Sequence, residues 1–117
     1  MTPEQFNEAI LMLRSSDAET YEEGFAWFEC EENLLRYIQK IASLLRSEND
    51  PCMRSTFVEL IGIADLSEYI PLLVEELSDE NRLVRSWAYS MLSLSEHECA
   101  KAQAEDYRQA HPNEDFY

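Results

Sequence analysis

Basic residues are scarce in this chain: nine Lys and Arg stand against 24 Asp and Glu, a net charge of -15 over 117 residues. So acidic a surface repels phosphate backbones, which excludes nucleic acid as a partner. Glycine is scarcer still, at two residues. With few β-branched residues as well, that argues against a sheet and for helix. No apolar run approaches the roughly 18 residues that would read as a membrane span. The opening Met1-Thr2-Pro3-Glu4-Gln5 is polar and acidic, unlike a secretory signal. Cys30, Cys52 and Cys99 are an odd number without metal-ligand spacing, which predicts reduced thiols in a cytoplasmic protein. There is no glycine-rich phosphate loop, and no Ser-His-Asp or Cys-His arrangement with helical spacing. His97-Glu98-Cys99 is a single metal-like step, and His111 falls in the presumed tail. No catalytic residue, metal or cofactor is therefore expected.

What the chain does have is a repeat. Leu13, Leu45 and Leu77 are 32 residues apart, as are Phe6, Ile38 and Ile70, and Ala9, Ile41 and Leu73. Each leucine closes an amphipathic segment. A short polar turn follows each: Ser15-Ser16-Asp17, Ser47-Glu48-Asn49-Asp50 and Ser78-Asp79-Glu80-Asn81. Then comes a second apolar helix. Periods of this size mark solenoids, whose units bury their apolar faces against their neighbours.

The third unit carries a family resemblance. Tyr69-Ile70-Pro71-Leu72-Leu73-Val74-Glu75-Glu76-Leu77 leads through its turn into Leu83-Val84-Arg85-Ser86-Trp87-Ala88-Tyr89-Ser90-Met91-Leu92. This resembles a HEAT repeat, whose first helix often carries Pro and whose second opens on Val-Arg. Cys52-Met53-Arg54 with Phe57 and Leu60 is a degraded copy, and the unit of Tyr21, Phe25 and Phe28 matches in apolar spacing. The resemblance spans roughly residues 3 to 94. It implies an all-α solenoid: a right-handed superhelix of about three hairpins, closed by a polar C-terminal helix.

Capping signals divide this single domain, 1–117, into seven helices. Thr2, Pro3 and Gln5 open the first, which ends near Arg14. Ser16 or Asp17 caps the second (18–30), and the third spans 31–46. Asp50-Pro51 starts the fourth, to Ala64. Asp65 and Glu68 have capping-box spacing and predict a fifth helix ending at Leu77. The sixth runs from Asn81 to Leu94. Ser95 with Glu98 opens a seventh, to Ala110, and residues 111–117 are expected to fray.

A helical wheel then selects candidate contact residues. In the second helices of the three units it buries Tyr21, Phe25 and Phe28, then Met53, Phe57, Leu60 and Ile61, then Val84, Trp87, Ala88, Met91 and Leu92. It turns outward Glu22, Glu23, Ala26 and Trp27, then Arg54, Ser55, Val58 and Glu59, then Arg85 and Tyr89. Glu22, Glu23, Trp27, Arg54, Val58, Glu59, Arg85 and Tyr89 are accordingly the expected partner-binding residues, Tyr and Arg being enriched at hot spots. The alternative for Arg54 and Arg85 is to bridge neighbouring acids or helix ends. Residues 1–35 hold nine acids against Arg14 alone, whereas 36–54 hold four basic residues against two acids.

These features predict a non-enzymatic module that binds another protein with a basic surface. By size and charge the chain resembles small acidic bacterial immunity proteins, which cover the active site of a cognate toxin. A general HEAT-repeat adaptor is the alternative, and a lyase- or hydroxylase-type module is a more distant one. Oligomeric state stays open, with outward Val58 or Trp27 able to support a dimer.

Overall fold

A computed structural model describes residues 1–114 and Phe116. The described residues form seven α-helices and no strand. These are α1 (Pro3–Leu13), α2 (Ala18–Glu29), α3 (Glu31–Ser47), α4 (Pro51–Ala64), α5 (Ile70–Glu76), α6 (Arg82–Leu94) and α7 (Glu98–Ala110). One turn of 3-10 helix, Ser67–Tyr69, precedes α5. No helix is long and apolar enough to cross a membrane. The radius of gyration, 14.1 Å, is near the roughly 13 Å of a globular chain this long.

Several ends follow the expected chemistry. Thr2 and Gln5 form a reciprocal capping box, and Asp50 accepts from the Met53 amide with Pro51 next in line. Asp17 rather than Ser16 caps α2, its carboxylate accepting from the Thr20 amide at 3.0 Å and the Thr20 hydroxyl at 2.7 Å. Two ends differ. Asp65 does not open α5: it closes α4 in the left-handed region at φ 49°, ψ 45°. Its carboxylate accepts instead from the Ser95 hydroxyl at 2.6 Å and the Glu96 amide at 2.9 Å. Ser95 is thereby engaged with α4, and His97 stands at the start of α7 without a side-chain cap. Aspartate tolerates the left-handed conformation better than most residues, so one side chain both ends a helix and ties down a distant loop.

All nine residues of the 32-residue register are buried: Phe6, Ala9, Leu13, Ile38, Ile41, Leu45, Ile70, Leu73 and Leu77. Helix α4 lies at the centre, packed against α3 on one side and α6 on another, while α1 packs on α2 and α7 on α6. That position explains a correction. Val58 was expected to face outward but is 0% exposed, and Ser55 beside it is also buried. A wheel with one apolar face suits a helix with one neighbour, whereas α4 is covered over most of its circumference. Val58 is therefore core and unavailable to a dimer partner. Tyr21, Phe25, Trp87 and Met91 move the other way, half-buried at the margin of the core.

Gly24 sets the closeness of α1 and α2. A Cβ there would lie 2.6 Å from the Met12 Cβ and 3.0 Å from the Ala9 carbonyl oxygen. Only hydrogen fits that approach.

Candidate functional site

The two arginines at the expected contact positions are occupied inside the molecule. Arg54 Nη1 donates to the carbonyls of Leu45 at 2.8 Å and Glu48 at 2.9 Å, unsatisfied groups at the end of α3. Its Nη2 donates to Glu76 at 2.6 Å, and its buried Nε lies 3.2 Å from Asp79 without hydrogen-bond geometry. Arg85 repeats the arrangement 31 residues on. Its Nη1 donates to the carbonyls of Asp79 and Glu80, both at 2.9 Å, and its Nε to Glu114 at 2.6 Å. That hydrogen bond holds the Glu114 carboxyl below its usual range. Both arginines thus clamp the turn ahead of their own helix and reach an acid further along the chain. Bridging, the second of the two roles open to them in the sequence, is the one the geometry displays.

Tyr89 stands half-buried among aromatic rings. Its ring centroid is 6.2 Å from that of Tyr107 and 5.5 Å from that of Phe116. His111 stacks on Tyr107 at 4.1 Å, and the Tyr107 hydroxyl donates to Glu114 at 3.2 Å. Residues 111–117 were expected to fray; Asp115 and Tyr117 lie outside the described residues, while Glu114 and Phe116 make the contacts given above.

The remaining candidates gather on α2 and its neighbour α4. Glu22 and Glu23 are exposed, Trp27 is half-buried, and Glu59 is half-buried. Glu22, Glu29 and Glu59 line a groove of about 180 Å³ together with Tyr21 and Phe25. The two rings stack with centroids 6.2 Å apart and planes 25° apart. Tyr21 is fixed by a 2.9 Å hydrogen bond between its hydroxyl and that of Thr56 on α4. Among the described residues no lysine or arginine forms an ion pair with Glu22, Glu29 or Glu59. Burial pushes the Glu59 carboxyl above its ordinary value, with no opposing contribution. Trp27 stands apart, in a second shallow groove with Met1, Gln5, Ala26, Cys30 and Asn33.

The structure therefore brings Glu22 and Glu59 together, separates them from Arg85 and Tyr89, and removes Val58. The wheel missed the aromatic pair, because it placed Tyr21 and Phe25 wholly inside. Their i, i+4 spacing was the available signal, since such rings meet on one helix face.

Elsewhere, His97 Nε2 lies 2.9 Å from the Asp65 carbonyl oxygen, which links α4 to the start of α7. The described residues contain no cluster of His, Cys, Asp and Glu arranged to hold a metal. The three cysteines are free and exposed. Compared with protein-family models, curated proteins and solved structures, the chain matches none.

Proposed function

We propose that this chain is a non-catalytic, HEAT-like module that binds a basic surface on another protein, in the manner of a small acidic immunity protein neutralising a toxin. The observation that carries this reading is the exposed, unpaired acidity of the first hairpin. Glu4, Glu8, Glu19, Glu22, Glu23 and Glu29 are all exposed and without ion-pair partners among the described residues. Carboxylates free of structural duty remain available to a cationic partner and would steer its approach. The HEAT-like part of the proposal draws on three features: nine buried register positions, α4 packed against α6, and arginines clamping two successive turns. A solenoid of hairpins unites them, because its second helices stack side by side.

The test is direct binding and inhibition against the product of the adjacent gene. Tight complex formation that weakens with salt and abolishes that protein's activity is the expected result. Salt-insensitive binding without inhibition favours the adaptor alternative.

A further inference from the structure

The groove between α2 and α4 differs from the rest of the acidic surface because it combines aromatic walls with carboxylates from two helices. Tyr21 and Phe25 supply the walls; Glu22 and Glu29 come from α2, and Glu59 from α4. Resting on the basic-partner reading, we infer that this groove seats the guanidinium of an arginine side chain presented by a partner protein. Three observations meet on that occupant. The aromatic pair is held in place before binding, Tyr21 by its hydroxyl contact to Thr56 and both rings by stacking. A planar guanidinium stacks on such faces and forks to carboxylates, which a compact ammonium does less well. The three carboxylates have no ion-pair partner in the chain, and Glu59 is half-buried while lacking one. A cation beside Glu59 offsets the cost of its burial, so the site is completed by the ligand rather than by the fold. The groove volume of about 180 Å³ suits one side-chain head group rather than a helix or strand.

The experiment titrates short capped arginine and lysine peptides into the isotope-labelled full chain and follows amide shifts. Shifts focused on residues 21–29 and 59 are expected, with the arginine peptide the tighter binder. Phe25→Ala and Glu59→Gln should each weaken it by roughly threefold or more, the usual worth of a cation–π or exposed charge contact. Glu75→Gln, which removes one exposed charge on α5, should leave affinity within about 1.5-fold, since distant exposed charges are screened. Phe25→Ala is checked for folding by its melting curve, and the near-isosteric Glu59→Gln carries the test if that variant is damaged. Diffuse shifts with equal affinity for both peptides, or affinity unchanged in the substituted chains, overturn the groove assignment and leave the basic-partner reading standing. That reading falls as well only if neither cationic peptide binds at low ionic strength.

Discussion

The first hairpin and the two that follow it share an apolar register but put opposite charges at one matching position. Counting back 31 residues from Arg85 gives Arg54, and 31 more gives Glu23, next to Glu22. In the later hairpins the arginine satisfies turn carbonyls and pairs with an acid further along the chain. In the first hairpin the turn manages without a cation. Asp17 caps α2 by itself, and the Ser15 hydroxyl accepts from the Asp17 amide at 3.1 Å. Arg14 then joins this hairpin to the next through Glu48, and that contact holds the Glu48 carboxyl below its usual range. The difference teaches where structure and recognition divide. Polar residues of α4 and α6 are consumed in holding the fold, while those of α2 are left facing solvent.

Substitutions at the matching positions should break this comparison most sharply. Arg54→Ala strips the Leu45 and Glu48 carbonyls of their donor and leaves Glu76, only 6% exposed, without its partner. Orphaning a buried charge costs about 3 to 5 kcal/mol. Arg85→Ala should cost less, about 1 to 2 kcal/mol, because the Glu114 it releases is more exposed and can return to water. Glu23→Ala should change stability by less than about 0.5 kcal/mol, as surface substitutions do. Urea denaturation midpoints of the three variants check the order. Equal losses at positions 23 and 54 would dissolve the contrast.

The aromatic residues of α2 and α4 supply a second, comparable contrast. Phe57 is fully buried at the centre of the molecule, so Phe57→Ala should cost about 3 to 5 kcal/mol. Phe25 is half-buried on the groove, and its alanine variant should lose roughly half as much transfer free energy. Tyr21→Phe removes only the partly buried hydroxyl contact to Thr56 and should cost about 1 kcal/mol. Thermal melts followed by circular dichroism would separate these three. A Phe25→Ala loss as large as that of Phe57→Ala would place Phe25 in the core after all.

Much of the helical framework was legible because apolar spacing is a strong local signal. The register from Phe6 to Leu77 and the caps at Thr2, Asp17 and Asp50 needed only residues a few positions apart. Features decided at long range were less visible. Val58 lies on what a single-faced wheel makes the outer side of α4, and only the packing of α4 between α3 and α6 buries it. Asp65 and Glu68 have the spacing of a capping box, yet Ser95 and the Glu96 amide compete for the same carboxylate from 30 and 31 residues away. The candidate site suffered in the same way. Arg54 and Arg85 have the composition of hot-spot residues, and no local pattern distinguishes an arginine that binds a partner from one that caps a neighbouring turn.

Association kinetics should sharpen the comparison further. Reversing Glu22 and Glu23 to lysine places two positive charges on an exposed face without touching the core. With a basic partner, the association rate should fall by roughly tenfold at low salt and by much less at high salt, because screening shortens the reach of steering. The dissociation rate should change less than the association rate if the charges act mainly at a distance. A rate insensitive to both salt and charge reversal would move the contact away from α2.

The smallest expected effect is also the most specific to the groove. Glu59 has its carboxyl pushed up by burial, so the folded chain holds that proton more tightly than the unfolded chain does. Below the unfolded value of about 4.3 both forms are protonated and the group costs nothing. As pH rises through that value and then through the higher folded one, the folded state alone must carry a partly desolvated charge, and stability declines. Glu59→Gln removes that charge. The variant should therefore melt slightly above wild type at neutral pH, by less than about 0.5 kcal/mol given the solvent screening at a half-exposed site. The advantage should vanish at acid pH, where wild-type Glu59 is itself neutral. Paired melting curves at both pH values check the sign. A carboxylate serving the fold would give the opposite pattern, with Glu59→Gln melting lower at neutral pH. Stability gained together with weaker binding of the arginine peptide is the signature of a residue kept for recognition at the expense of the fold.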